Sequence, residues 1–529
     1  MRLQLLTSLL LVACFVVVWI LNAWMADDAY ITLRTVDNVI HGHGLRWNVA
    51  ERVQTYTHPL WLLVVTAAYF ITREPYYTVL ALSALLSVST FVVVIFFTAR
   101  SYPAVLLSAT ALLLSKAFID YSSSGLENPL SYILAASVAW YFLRHRQVNI
   151  WFITFLISLS VLNRQDTLLF FIPILIWLFL NERSWKTVGN MFVGVLPLIV
   201  WELFSLFYYG FLTPNTAVAK LNVDLARSEL MQQGLNYLWD SLHRDPVTLF
   251  IILAATILVI ANRTIKAQLL QIGVILYLFY IIWIGGDFMS GRFLSVPFVI
   301  SVSVIAHSWL LKKEESITWI LVVIVLFLGL SVSQSPVYSN MLYHTSIKEI
   351  HRAYGIADER GYYYPTTGLL MIRSLGEPFH PWVEEGKKAR QKNILVIRRS
   401  IGFFGYYAGS RVHALDVYAL GDPLLSRLPH LSRRYTDEAT LTFWRTGHFR
   451  RGVPQGYVET LQTGQNMIKN KEVARYYDLL ASVTRDPLFS LKRLKAIWQI
   501  NVTQRNAMEN YQDDEKIYYK DNQTFAVKK

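Results

Sequence analysis

The sequence predicts a polytopic, mainly α-helical membrane protein with a C-terminal α/β part held outside the bilayer. Three observations carry that expectation. Only 16% of the 529 residues are charged and 54% are hydrophobic, against roughly 25% charged in an ordinary soluble domain. Apolar runs recur up to Gln334. Beyond it no run is long enough to span, and Arg, Tyr, Gly and Pro become common.

The first run, Leu3–Trp24, is longer than the roughly 7–15-residue core of a secretion signal and no Ala-x-Ala site follows, so it reads as a retained span. Ten more follow: Tyr77–Thr98, Pro103–Ser115, Asn128–Leu143, Ile150–Asn163, Asp166–Leu180, Val188–Tyr208, Pro246–Ala261, Ala267–Ile284, Phe293–Leu311 and Ile317–Gln334. Several fall short of the roughly 20 residues of a straight span, so their ends extend into polar flanks. About 11 crossings are expected. A twelfth run, Pro59–Thr72, is placed at the interface or on a re-entrant path because of loop charge. With it not crossing and the N-terminus cytoplasmic, the inner connections hold Arg100, Arg144 with Arg146, Arg183 with Lys186, Arg263 with Lys266, and Lys312 with Lys313. Each carries Lys or Arg, as positive-inside orientation requires.

The outer segments are then 25–76, 116–127, 164–166, 210–245, 285–292 and everything after Gln334. Residues 1–334 form the membrane module and 335–529 the extracytoplasmic domain. In that domain Asn393–Ile397 and Val412–Leu420 read as strands around Gly402–Gly405, a strand–helix–strand unit. The residues after about Thr503 read as a frayed helix or tail. The net charge of +13 fits orienting loops and attraction to anionic lipid or phosphate, without nucleic acid as partner. The single cysteine, Cys14, excludes an intrachain disulfide.

Unusual polar residues gather in the outer segments. Asp27 and Asp28 stand at the outer end of the first run, where a helix C-terminal dipole disfavours negative charge. Adjacent carboxylates near a membrane suit a general base of raised pKa, or a divalent cation site, or a solvated helix end. The residues after them alternate charge with aromatics and glycine, as in interfacial helices; Tyr56 and His58 belong to this stretch. Glu127 opens a span. Arg164 and Asp166 put opposite charges at a membrane surface. Lys220 follows a turn, and Asp287 with Arg292 lies in a glycine-hinged loop. Arg292 and Lys220 suit a lipid phosphate, as a fork of donors and a point charge; each also fits snorkelling to the interface. An outward site lacks cytoplasmic sugar nucleotides, so a sugar linked to membrane lipid would supply its donor.

The run Asp27-Asp28-Ala29-Tyr30-Ile31-Thr32-Leu33-Arg34, with Gly42, Gly44, Trp47, Asn48, Glu51, Arg52, Tyr56, Thr57 and Pro59-Leu60-Trp61, resembles the first outer loop of GT-C arabinofuranosyltransferases. That group includes terminal arabinofuranosyltransferases and a type IV pilin arabinosyltransferase. The resemblance continues through Ser124–Glu127, Tyr209-Gly210, Pro214–Thr216 with Lys220, Gly285–Met289, Gly291–Phe293 and Pro297. It extends into Asp416, Leu420–Pro423, Gly447-His448, Arg451, Pro454 and Gly456-Tyr457. It implies a GT-C fold and inverting transfer of arabinofuranose from a polyprenyl-phosphate donor to an extracytoplasmic protein or glycan acceptor. It places Asp27 and Asp28 at the catalytic centre, Asp28 as base. Lys220, Arg292, Asp287, Arg164, Glu127, Tyr56 and His58 are then donor-binding candidates in a bacterial inner membrane, facing the periplasm. Asn163-Arg164-Gln165-Asp166 departs from the Arg-Pro-acid pattern of related proteins. The composition lacks a mycobacterial Ala/Arg bias and favours a Gram-negative source with a pilin-like acceptor. Other sugars, mannose or aminoarabinose, fit the same architecture. A lipid-linked glycan transporter is a third reading, against which the halves show no repeat.

Overall fold

The computed structural model describes residues 2–529 apart from 224, 263, 340–344, 347–348, 350–353, 373–375, 391, 431–444, 505–506, 509–510, 512–516, 518 and 528–529. Arg263, one of the expected inner charges, lies outside the described residues. Each of the eleven apolar runs is helical over most of its length, because a segment without water must satisfy its own backbone. The helices are α1 (Arg2–Asn22), α2 (Asp27–Ile40), α3 (Pro59–Thr72), α4 (Pro75–Val92), α5 (Tyr102–Leu114), α6 (Lys116–Tyr121), α7 (Asn128–Arg144), α8 (Ile150–Asn163) and α9 (Leu168–Asn181). They continue with α10 (Trp185–Tyr208), α11 (Asn215–Leu221), α12 (Arg227–Arg244), α13 (Pro246–Asn262), α14 (Ile265–Ile284), α15 (Ser295–His307), α16 (Trp309–Lys313) and α17 (Glu315–Ser331). A π-helical turn, Val93–Thr98, prolongs α4.

Among the described residues, by length and composition, Gln4–Asn22, Pro75–Thr98, α10 and α14 suffice to cross a bilayer, and α12 with α13, bent by 107°, adds a fifth only if the pair counts as one span. Six shorter apolar helices accompany them. Large apolar side chains point outward along these elements, among them Leu85, Val200, Leu203, Ile260, Phe279 and Phe327. Such a surface suits lipid and not water. Helices pack closely where a side chain is missing: a Cβ on Gly194 would overlap Thr154 of α8, and one on Gly273 the backbone of Phe170.

Three of the expected inner charges collect at one end of the bundle. Arg100, Arg144 and Lys266 gather round His307, and Lys266 donates to the His145 carbonyl at 2.5 Å. At the other end of α7, Glu127 pairs with Arg164 and Arg292, both from the segments expected to lie outside. Helix α3 starts at His58 in that cluster and reaches Asp37 of α2 through Tyr69. The next helix opens with Tyr76, which donates to Thr367 at 2.8 Å, and the Thr367 hydroxyl meets the Met25 amide. Both ends of Pro59–Thr72 therefore contact residues near the Asp28 end of the bundle.

The C-terminal residues contribute a three-stranded sheet in which β1 (Ile394–Arg398) lies between β2 (His413–Asp416) and β3 (Thr524–Ala526). Strand β1 (Ile394–Arg398) pairs in parallel with β2 (His413–Asp416) through Leu395↔His413 and Ile397↔Leu415. The helix Gly402–Ala408 makes the crossover, so the expected strand–helix–strand unit is present. β2 is shorter than the expected Val412–Leu420, because the Asp416 carboxylate accepts the amides of Tyr418 and Gly421 and turns the chain. The tail departs from the expectation of fraying: β3 (Thr524–Ala526) pairs antiparallel with β1.

Candidate functional site

The chain leaves α1 at Asn22 and begins α2 at Asp27, so the paired carboxylates open a new helix. At a helix N-terminus the dipole favours negative charge, which reverses the penalty expected of them at the end of α1. They then diverge. Asp27 is buried, and its carboxylate accepts the backbone N–H of Phe403 at 2.6 Å and of Gly402 at 3.2 Å. It thus caps the Gly402–Ala408 helix from a distant part of the chain. Position 402 must be glycine, because a Cβ there would overlap the Asp27 carbonyl oxygen. Asp28 is half-buried and faces a cavity. Among the described residues its carboxylate has no hydrogen-bond donor.

The cavity, about 350 Å³, is lined by Asp27, Asp28 and Lys220 from the part of the chain before residue 334, with Phe288. Its other wall comes from beyond residue 334: Glu359, Tyr362, Tyr363, Trp382, Arg399, Tyr418, Arg445 and His448. Lys220 lies 5.8 Å from the Phe288 ring centre, and among the described residues no carboxylate pairs with it. Arg445 covers the same ring at 4.5 Å and donates to Glu359 at 3.1 Å. His448 packs edge-on against Phe288 at 4.4 Å.

Burial sets the electrostatics. It pushes the Asp27 carboxyl up to about 7, against the opposing pull of the Phe403 amide. It raises Asp28 as well, while Lys220 foremost, then Arg292 and Arg445, hold that carboxyl down. Burial lifts Glu359 to about 8, with Arg445 opposing. A carboxyl poised above its ordinary range near a cation is suited to accept a proton.

Behind the cavity lies a buried ionic network. Glu127 accepts from Arg164 at 2.6 Å and from Arg292 at 2.9 Å, and its second oxygen lies 3.4 Å from His58 Nδ1. His58 Nε2 meets the Thr32 hydroxyl at 2.8 Å. Arg292 also stands 3.6 Å from Asp287, and Arg164 pairs with Asp166. Glycines at 285 and 286, both at positive φ, turn the chain into this loop, and a Cβ at 286 would strike Tyr237. Of the donor-binding candidates, Lys220 lines the cavity; Arg292, Asp287, Arg164, Glu127 and His58 form the network behind it. Tyr56 lies deeper, bonded to Tyr209 at 2.8 Å. Among the described residues no group of three or more His, Cys, Asp or Glu side chains is gathered to hold a metal.

Much of the first-loop motif docks the two halves. Buried Arg34 donates to the carbonyls of Trp47, Gly405 and Val412 at 2.7 to 2.9 Å. Asn48 bonds the Ala414 backbone in both directions, at 3.0 and 3.1 Å. Asn215 donates to the carbonyls of Ala419, Leu420 and Asp422. Glu359, Arg445 and the aromatic wall of Tyr362, Tyr363 and Trp382 were not singled out by the sequence reading. The tyrosine triplet 362–364 in a polar stretch was the available signal; for Glu359 and Arg445 there was none.

No family model matches the chain. Among curated proteins it is similar to terminal β-(1→2)-arabinofuranosyltransferases. That of Corynebacterium glutamicum is 28% identical over 345 residues, covering 54% of this chain and 49% of the relative. That of Mycobacterium tuberculosis is 28% identical over 323 residues, covering 52% of this chain and 51% of the relative. The chain spans about half the length of the curated relatives it matches. Among solved structures, ArnT from Cupriavidus metallidurans bound to undecaprenyl phosphate aligns with a TM-score of 0.44 and 11% identity, over 78% of this chain and 85% of that one.

Proposed function

We propose that the chain is a membrane-embedded glycosyltransferase whose donor sugar arrives on a polyprenyl phosphate. Within that class, we propose arabinofuranose as the sugar and inversion as the stereochemical course. The observation that carries the reading is Asp28 and Lys220 facing one cavity, each without a hydrogen-bonded or paired partner among the described residues. The similarity to arabinofuranosyltransferases supports the choice of sugar.

In the proposed reaction an acceptor hydroxyl attacks the anomeric carbon of the donor. Asp28 takes the hydroxyl proton as the new C–O bond forms. The bond from the anomeric carbon to the phosphate oxygen breaks, and its electron pair leaves with the phosphate. Lys220 meets the charge of that leaving group, with Arg445 nearby. Asp27 holds the wall that carries Phe403, and the Glu127 network fixes the loop from Gly285 to Arg292. We further propose that the shorter apolar helices cross as well, giving about 11 spans, with residues 335–529 as a domain that closes the cavity. The Asp28 end faces the periplasm of a bacterial inner membrane, and the acceptor is an extracytoplasmic protein or glycan.

The test is incubation of the purified protein with polyprenyl-phosphate-linked arabinofuranose, mannose and aminoarabinose in turn, with pilin and glycan acceptors. Covalent transfer from the arabinofuranosyl donor is expected. Transfer from another donor alone overturns the sugar assignment. Movement of lipid-linked sugar between leaflets without covalent product overturns the enzyme reading.

A further inference from the structure

The helix Leu491–Trp498 carries apolar residues on two opposite faces. Its inner face, Arg493, Ala496, Ile497 and the following Ile500, is turned into the protein, where Ala496 and Ile500 join a core with Val473, Leu480 and Val483 and Ile497 packs against it. Those positions follow the i, i+3, i+4, i+7 spacing of one helical stripe. On the far side Leu491 is 75% exposed, Leu494 44% and Trp498 65%. Phe489 just before the helix is 83% exposed, and Val502 in the turn after it 56%. Exposed Lys492 and Lys495 flank this face.

The helix is fastened to the outer end of α10. Arg493 donates to the Tyr208 carbonyl at 2.9 Å, and Asn501 to the Gly210 carbonyl at 2.8 Å. The Phe489 ring lies 5.4 Å from that of Phe207, near the last turn of α10. Phe207 ends an exposed apolar stripe on α10 that includes Phe192, Leu196, Val200 and Leu203. The surface that a spanning helix shows to acyl chains therefore runs unbroken into Phe489 and the outer face of Leu491–Trp498.

We propose that Leu491–Trp498 is a monotopic anchor lying in the headgroup layer of the same bilayer, on the Asp28 side. Phe489, Leu491, Leu494 and Trp498 enter the acyl boundary, and Lys492 and Lys495 meet lipid phosphates. A helix with a Trp/Leu face bordered by lysines has the composition of interfacial helices, which bury their apolar side roughly 5–10 Å into the headgroup boundary. The helix is also tied to the chain after α2: Arg493 donates to the Val483 carbonyl, and Arg52 donates to the carbonyls of Val483 and Asp486. The proposal rests on α10 as a span and not on the chemistry proposed for the cavity.

The experiment uses the full chain in nanodiscs of phosphatidylethanolamine and phosphatidylglycerol, with Cys14→Ser removing the native thiol. A nitroxide is attached at Trp498→Cys, at Leu494→Cys and, as an aqueous reference, at Gln465→Cys. Collision rates are measured with oxygen and with a water-soluble nickel chelate. At 494 and 498 the expected result is about tenfold fewer nickel collisions than at 465, with oxygen collisions higher, as for a side chain at the acyl boundary. Nickel access at both positions equal to that at 465 overturns the proposal. Low access to both reagents also overturns it, because a protein partner would then cover the face.

Discussion

Replacing each of the paired aspartates by asparagine separates chemistry from scaffolding. Asp28→Asn keeps side-chain volume and breaks no hydrogen bond to the described residues, so the fold is expected to hold. It removes the base. A positioned general base contributes roughly 10²–10⁴-fold, or about 3–5 kcal/mol of barrier. Asp27→Asn acts differently. Its carboxylate accepts the amides of Gly402 and Phe403, and an amide offers one acceptor oxygen where the carboxylate offers two. Losing one bond of a charged group to a buried amide costs about 1.5–3 kcal/mol. The assay is single-turnover transfer from labelled polyprenyl-phospho-arabinofuranose, paired with thermal unfolding in detergent. Asp28→Asn should show wild-type unfolding and transfer reduced at least a hundredfold. Asp27→Asn should unfold earlier and keep measurable transfer in its folded fraction. Wild-type turnover by Asp28→Asn, or unchanged stability of an inactive Asp27→Asn, would refute this division of labour.

Other expectations follow from the same geometry. Lys220 holds the Asp28 carboxyl down, so Lys220→Met should move the acid limb of the kcat/KM profile to higher pH as well as lowering its plateau; a limb that stays in place removes Lys220 from the environment of the base. Glu359 is raised to about 8 in the folded chain, so the folded state binds more protons than the unfolded one between the ordinary glutamate range and that value. Its contribution to stability is present at low pH and is lost as pH rises toward 8; Glu359→Gln should flatten the fall in Tm between pH 5 and 8, and an unchanged slope contradicts the assignment. Glu127→Gln leaves Arg164 and Arg292 without their shared anion and should destabilise by about 3–5 kcal/mol, as removal of one partner of a buried ion pair does; unfolding at the wild-type temperature would show that the network is not structural.

The helices were legible because their determinants are local. Apolar length, absence of charge and the Lys and Arg at loop ends act within a few residues, and each apolar run that they marked is helical. The chemical types of the site were legible too, since Asp28 and Lys220 stand out against an apolar background. The local chemistry of the sequence could not tell Asp27 from Asp28; only the family resemblance singled out Asp28 as base. Their difference arises from Gly402 and Phe403, some 375 residues away, whose amides claim one carboxylate and leave the other to the cavity. Nor could it show that Arg34, Asn48 and Asn215 dock the two halves, or that Arg292 is held by Glu127 while Lys220 stays open. Glu359 and Arg445 carried no local signature at all. Local physics fixed which segments leave water. Which polar groups are consumed as structural partners, and which remain free to react, was decided when distant backbone amides and carbonyls folded against them.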